Sequence, residues 1–370
     1  MTRVYFDHNA TTPLSSEARA AMVAFLDEPG NPSSLHAEGR RARDAVERAR
    51  DAVAALVGAR REDLVFTSGG TEANNWAVTA LAERARAADA RRVRVLLSAV
   101  EHPCVDAPCA ALAARGFVVE RLRVDGDGRV DREQLAARLD DTTALLTVQL
   151  ANPEIGTIQA VADFAGLARA RGALVHTDAV QAVGKIPVDV GALGVHALTL
   201  SAHKIGGPKG VGALYVAREL QLPSLLRGGH QERERRPGTE NALGIVGFGA
   251  AAANVTPLSG ALRDRFEAGA VALGARVHAA LAPRVPNTSN VAFPGVDGEL
   301  LMEALDIDGF AVSNGAACSS GTRAPSPVIV AIGQPPNEAV RFSFGRTNTP
   351  AEVDAVLARL PSLLARIRHA

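Results

Sequence analysis

The sequence predicts an α/β protein in two parts: a large, mostly parallel sheet wrapped by helices on both faces, and a smaller α/β unit at the C-terminal end. Three observations predict it. Short apolar runs alternate with helical patterns from residue 64 to about residue 216, the mark of strand, crossover and parallel strand. A length of 370 residues exceeds one minimal core and suggests a large domain plus a smaller one. A fresh series of helix, strand, helix and strand then begins near residue 251.

Taken in order, Val4-Tyr5-Phe6 opens as a short strand that breaks at the polar Asp7-His8-Asn9 and at Pro13. From His36 to Val57, apolar residues such as Ala42, Val46, Ala49 and Val53 recur three and four apart, so a helix with one buried face is expected there. Its Arg-rich remainder, with Asp44 and Arg48 four apart, reads as the solvated face. Leu64 to Thr67 is a strand that feeds Ser68-Gly69-Gly70-Thr71 into a helix. Strands follow at Val93 to Ser98, Val118 to Leu122 and Leu145 to Gln149, with a helix from Asp131 to Leu139. Leu174 to Gln181 reads as a strand that ends in polar residues, and Val195 to Leu200 as a buried strand delivering Lys204 to the turn Gly206-Gly207-Pro208. Gly210 to Val216 closes the series, and the charged stretch from Arg227 to Thr239 reads as a solvent-facing loop or a contact between subunits. Gly247-Phe248-Gly249-Ala250-Ala251-Ala252 has the letters of a dinucleotide fingerprint, but it lies in an alanine-rich helical run without a preceding strand and is discounted. In the second unit, strands are expected at Ser289 to Phe293 and Gly309 to Ser313, with a helix from Glu299 to Leu305 between them. Thr349-Pro350-Ala351-Glu352 announces the last helix by a capping box with proline at its first position.

Composition narrows the function. Lys plus Arg equals Asp plus Glu at 40 each, so no net field draws nucleic acid or an anionic membrane surface. The N-terminal residues lack the apolar core of a signal peptide, and the longest apolar stretch, Ala242 to Val255, is short and rich in glycine and alanine; a soluble cytoplasmic protein is expected. Cys104, Cys109 and Cys318 are an odd count without CxxC spacing, which argues against a disulfide framework and a structural zinc site.

Several residues carry chemistry, each with a plainer alternative. A desolvated amine at Lys204 can form a Schiff base with an aldehyde such as pyridoxal phosphate; otherwise it is a surface lysine beside a turn. Gly70 and Thr71 at a helix start make a phosphate cradle, or an ordinary capped turn. His102, at the exit of a strand, stacks on a planar group or moves protons, or is structural. Asp178, at a strand end, needs a cationic or N–H partner, which a pyridinium nitrogen would supply, and it reaches the same sheet edge as Lys204. Cys104 and Cys109 read as small core residues on one helix. Cys318, among Gly315-Ala316-Ala317 and Ser319-Ser320-Gly321, is a nucleophile or part of a bland loop. Arg341 clamps a carboxylate, or forms a surface salt bridge.

Together and in order, these segments resemble the cysteine desulfurases, pyridoxal phosphate enzymes of the class V aminotransferase fold (fold type I). The likeness runs through Tyr5 to Pro13, Gly30 to Ser34 with His36, Phe66 to Asn75, Glu101-His102, Glu154 to Gly156, Asp178 to Gln181, Ser201 to Gly210, Arg236 to Asn241, Gly315 to Cys318 and Arg341 to Arg346. It implies a large cofactor-binding domain at 14–250 and a small domain of 1–13 with 251–370. It implies that Lys204 bonds the cofactor aldehyde and shuttles protons, that Asp178 faces the pyridine nitrogen, that His102 stacks on the ring and that Gln181 bonds near the phenolic oxygen. Gly70, Thr71, Ser201 and His203 would hold the phosphate, with Thr239 reaching in from the second subunit of a homodimer. Arg341, with Asn152, would bind the L-cysteine substrate. The Cys318 thiolate would take its sulfur as a persulfide, leaving L-alanine, for transfer to an acceptor protein such as an iron–sulfur scaffold or a tRNA-thiolation relay. The segment from Cys318 to Gly333 resembles the long-loop group and lacks the Arg-x-Gly-His-His-Cys signature of the short-loop group.

Two departures from the family pattern stand out. Asn152-Pro153-Glu154 replaces Asn-Asn-Glu, so the second asparagine, a donor to the phenolic oxygen, is a proline without an N–H, and Asn152 is held extended. A weaker hold on that oxygen is expected. The chain also closes on its last helix without the tail by which some members dock a scaffold. The rival readings are a selenocysteine lyase or an aminotransferase of the same fold, in which Cys318 is incidental, and a decayed, non-enzymatic adaptor.

Overall fold

The computed structural model describes residues 3–315 and 325–368. Its first strand, β1 (Val4–Tyr5), belongs to the smaller unit. The larger unit contributes β2 (Leu64–Thr67), β3 (Arg94–Ser98), β4 (Val118–Leu122), β5 (Thr143–Thr147), β6 (Leu174–Asp178), β7 (Ala197–Ser201) and β8 (Gly212–Val216). The smaller unit completes itself with β9 (Arg276–Val277), β10 (Thr288–Ala292), β11 (Phe310–Ala311) and β12 (Ala339–Ser343).

The large sheet has the order β2-β8-β7-β6-β5-β3-β4. From β7 to β4 every pairing is parallel, and β8 alone runs antiparallel to both of its neighbours. A sheet covered on both faces must send apolar side chains both ways along each strand. Leu64 and Phe66 accordingly enter the core on one face and Val65 the other; Leu96 opposes Val95 and Leu97 in the same manner. Two cores result, one under the helices Ala37–Ala55 and Ala242–Ala253, the other under Gly70–Ala88 and Pro103–Ala113. The glycine-rich Gly247-Phe248-Gly249 segment is thus the middle of a packed helix, as its missing strand implied.

The smaller unit packs β12-β10-β9 antiparallel, with the parallel pair β1-β11 beside it. Phe6, Phe266, Phe342 and Phe344 form its aromatic centre. Single-residue bridges from Asp7 to Ser343 and from Ser313 to Arg341 tie its strands into one body, so the N-terminal segment crosses from the small core to the large sheet. The last helix, Pro350–Arg368, carries the capping box its sequence announces: Thr349 N–H donates to Glu352 Oε2 at 2.7 Å and Glu352 N–H to Thr349 Oγ1 at 3.3 Å.

Strand ends differ from the sequence reading by up to three residues, the most at β6, which ends at Asp178 rather than Gln181. Predicted at 145–149, β5 ends at Thr147, because beyond it the chain leaves the ladder to line a cavity with Gln149 and Ala151. The charged 227–239 loop is less solvent-facing than its composition suggests. Glu232 is buried and holds Arg50 in a two-point ion pair at 2.7 and 2.8 Å, while its carboxylate also accepts from Phe66 N–H at 2.9 Å. Glu232, Arg233 and Glu234 all take positive φ (50°, 56° and 66°) to make this possible.

Candidate active site

Open α/β sheets bind ligands beyond the carboxyl ends of their parallel strands. A cavity of about 170 Å³ lies there, with its lining drawn from the ends of β6 and β7, the helix start after β2, the turns after β3 and β5, the N-terminal segment and β12.

From β6 comes Asp178, the last residue of the strand and 7% exposed. Its Oδ2 accepts from Asn74 Nδ2 at 2.7 Å and its Oδ1 from Val180 N–H at 2.9 Å, so both oxygens are fixed. From β7 come Ser201 and, one 3₁₀ turn further, His203 and Lys204. Lys204 Nζ donates to the carbonyls of Asn9 and Ala10 at 2.5 and 2.8 Å. His203 Nδ1 lies 3.1 Å from Thr11 Oγ1, and burial, reinforced by the charges of Lys204 and Lys209, lowers its pKa to about 4. Its imidazole is therefore neutral at pH 7 and offers one N–H.

After β2, the chain steps across the start of β8 to begin the helix Gly70–Ala88. The crossing is close: a Cβ on Gly212 would sit 2.7 Å from Gly69 Cα and from Leu200 O. It brings Gly70 over β7, where its own Cβ would lie 3.0 Å from Val180 Cγ2 and 3.7 Å from Ser201 Cβ. No side chain caps this helix start, so its first N–H groups are available to an anion. Glu72 in the first turn is matched by Arg236 at 2.8 and 3.1 Å; burial opposes its charge, but that arginine and Ser68 N–H hold its carboxyl below the usual range.

His102 is the N-cap of the helix Pro103–Ala113. Its Nδ1 accepts from Cys104 N–H at 3.2 Å and lies 2.8 Å from Cys104 Sγ, which fixes the ring against that helix start. Gln181 is buried, with Nε2 donating to Asn9 O at 2.9 Å. Arg341 on β12 is 1% exposed, pairs with Asp7 at 2.6 Å and donates to Pro153 O at 3.1 Å; its Nε has no hydrogen-bond partner among the described residues. It is a buried guanidinium with a donor to spare, which sets aside the surface salt-bridge alternative.

The structure thus brings Gly70, Thr71, His102, Asp178, Gln181, Ser201, His203, Lys204 and Arg341 to one cavity. Three expected residues are not placed there. Asn152 is fully buried and spent locally: its Oδ1 accepts from Glu154 and Ile155 N–H at 2.8 and 3.0 Å, and its Nδ2 donates to Val100 O at 3.2 Å. Its assignment to substrate is corrected on that ground, and Pro153 takes the wall position instead, offering a carbonyl that accepts from Asn9 and Arg341. Thr239 is exposed on its loop and does not line the cavity of its own chain. Cys318 lies outside the described residues. Of the helix cysteines, Cys109 is buried, but Cys104 is on the cavity wall, where Asn74 Nδ2 approaches its Sγ at 3.0 Å.

Sequence reasoning gave no role to Asn9, which is 2% exposed and links Lys204, Gln181, Lys185 and Pro153. Its backbone oxygen accepts from Lys204 and Gln181, its Oδ1 from Lys185 and Asn287, and its Nδ2 donates to Pro153 O and Thr288 Oγ1. Its signals were its place in the polar break after the first strand and within the family-like segment Tyr5 to Pro13.

The Aminotransferase class-V family model matches residues 4–356. The chain belongs to this family. A cysteine desulfurase of Cereibacter sphaeroides is 46% identical over all of this chain and 97% of its own length. Among solved structures, a NifS-like protein superposes with a TM-score of 0.91 at 34% identity, covering 98% of this chain and all of that one. SspA in complex with cysteine does so with a TM-score of 0.82 at 32% identity, covering 93% and 99%. Within the class-V aminotransferases the chain falls among the cysteine desulfurases, whose cofactor is pyridoxal phosphate.

The lining suits that group. A primary amine, a fixed carboxylate and an imidazole share one cavity with an uncapped helix start, whose approach to the sheet a Cβ on Gly212 would block. Lys204, Asp178 and His102 would hold the ring, and the first turn at Gly70 with Ser201 and His203 the phosphate.

Proposed function

We propose that this protein is a cysteine desulfurase that converts L-cysteine to L-alanine and collects the sulfur as a persulfide on Cys318. The observation that carries the reading is the meeting of Lys204, Asp178 and the buried, incompletely bonded Arg341 in one cavity. Pyridoxal phosphate, when bound, supplies an aldehyde for the substrate amine and a ring that draws electrons from the α carbon. Arg341 grips the substrate carboxylate with its spare donor and fixes the α carbon near Lys204. Lys204 removes the α proton and returns it to the α carbon before alanine leaves, and its neighbours Asn9 and Ala10 hold the amine through their carbonyls until it is needed. The Cys318 thiolate attacks the substrate sulfur: the S–S bond forms, the Cβ–S bond breaks, and the electron pair left on carbon takes up a proton to give the methyl group of alanine. The persulfide then passes to an acceptor thiol, on an iron–sulfur scaffold or a tRNA-thiolation carrier.

We further read the protein as a cytoplasmic homodimer in which Thr239, exposed on its own chain, completes the phosphate site of the other. The absence of any helix long and apolar enough to cross a membrane among the described residues is compatible with that reading. Cys318→Ser is the test. It is expected to keep the visible absorption of the loaded protein and to lose sulfide release, while wild type incubated with cysteine gains one sulfur on Cys318 by mass spectrometry. Unchanged turnover in Cys318→Ser would instead mark an aminotransferase or lyase with an incidental cysteine.

A further inference from the structure

Of the 40 Lys and Arg side chains only three are lysine, Lys185, Lys204 and Lys209, and all three fall within 25 residues of one another in the sequence. A chain that meets nearly every need for a cation with arginine has kept Lys185 as an amine. Arginine would not serve there, because its guanidinium is planar, larger and always charged.

Lys185 is 7% exposed. Its Nζ donates to Asn9 Oδ1 at 2.7 Å and to Gln181 Oε1 at 2.5 Å, and both acceptors are neutral amides. On the other side of the same two residues, Gln181 Nε2 and Lys204 Nζ both donate to Asn9 O. Asn9 and Gln181 therefore form a hydrogen-bonded bridge between two amines, one of which lines the cavity. The bridge has only one sense. If the Gln181 amide flipped, its oxygen would face the oxygen of Asn9, and Lys185 Nζ would lose one of its two acceptors. Held as it is, Gln181 spends one N–H on Asn9 and keeps the other for the cavity it lines.

We propose that Lys185 is a positioning residue for this site: its buried Nζ clamps the carbonyl ends of Gln181 and Asn9, so that Gln181 presents N–H rather than C=O to the bound cofactor. The clamp matters more in this chain because Pro153 stands where the family has a second amide donor. The inference rests on reading the cavity as a pyridoxal phosphate site. Charged and titratable groups surround the clamp. Lys204 and Arg341 with its partner Asp7 lie on the cavity side, and Asp178 lines the same cavity. His8, Glu17 and Arg346 line, with Lys185, a second cavity of about 340 Å³. Burial, and then the charges of Lys204 and Arg341, hold the Lys185 amine well below the ordinary lysine range.

The test uses Lys185→Met in the cofactor-loaded protein. Loss of the clamp removes an oriented N–H from the phenolic oxygen and a neighbouring amine from Lys204, and both changes favour the protonated form. The pH midpoint of the visible absorption band is expected to move up by about one unit, and cofactor release to quicken by about tenfold. Adding Gln181→Leu to Lys185→Met is expected to move the midpoint little further, since Lys185 acts through Gln181. Lys185→Gln, which keeps one donor in a similar volume, guards against misfolding and is expected to give a smaller shift in the same direction. A lowered melting temperature with the midpoint unmoved in both variants would reduce Lys185 to core filling and overturn the proposal alone. A wild-type protein that acquires no visible band with pyridoxal phosphate would overturn both it and the reading of the site.

Discussion

Removing the Glu232 carboxylate should expose how far the loop at 227–239 depends on a partner distant in sequence. Arg50 and Glu232 are 182 residues apart in sequence, their side chains are 5% and 2% exposed, and they pair through two hydrogen bonds. Glu232→Ala leaves the guanidinium buried without its main counter-charge, at a cost of about 3–5 kcal/mol. It also orphans the Phe66 N–H, which adds about 1 kcal/mol. Relaxation of the left-handed backbone at Glu232 returns about 1–2 kcal/mol if the loop moves. The net expectation is a loss of about 4 kcal/mol, which for a chain of this length lowers the melting temperature by about 5 °C. Urea denaturation and thermal melts at fixed protein concentration measure it, with the double variant Arg50→Met/Glu232→Met as control. The double variant should be more stable than Glu232→Ala alone, because no unpaired charge is left buried. A loss below about 1 kcal/mol in Glu232→Ala, or a double variant no better than the single, would refute the ion pair as the anchor of this loop.

Two further expectations follow from titration and from the departure at position 153. Burial lowers the pKa of His8 and of His203 to about 4 and that of His176 to about 3, from 6.5 in each case. The unfolded chain thus binds more protons than the native one between those values, so stability is full above about pH 6.5 and falls as the pH drops toward 4, by up to about 3 kcal/mol per group; urea midpoints that stay level across this range would contradict it. Pro153→Asn, which offers an amide where the ring had none, should lower the pH midpoint of the visible band in the loaded protein; identical titrations for variant and wild type would reject a weakened hold on the phenolic oxygen.

Local patterns carried most of the fold. Spacing three and four apart placed the helix now seen at Ala37–Ala55, and Thr349 with Glu352 made the box that starts the last one. The strand ends that deliver Asp178 and Lys204 were legible for a similar reason: apolar runs that turn polar at the edge of a sheet mark where side chains leave the core. What escaped depends on contacts distant in sequence. A run of charges at 232–236 looks solvated until Arg50 is known to lie beneath it. Lys185, between Ala182-Val183-Gly184 and Ile186-Pro187-Val188, gives no sign of the two amides that close over it. Cys104 and Cys109 share a helix, and periodicity cannot say that one of its faces opens on a cavity rather than a core. For Asn152 the following proline signalled an altered course; that its amide would be consumed by Glu154, Ile155 and Val100 needed the fold.

The close passage of backbone over the first residue of β8 makes the whole site answerable to a position that meets neither ring nor phosphate. Main chain presses on Gly212 from two directions, and even a methyl group would pry the turn at Gly69 away from the strand that leads to Lys204. Residue 212 can therefore serve as a sorting mark: a related chain with a side chain there must have rebuilt its cradle or abandoned it, whatever its amine and carboxylate suggest.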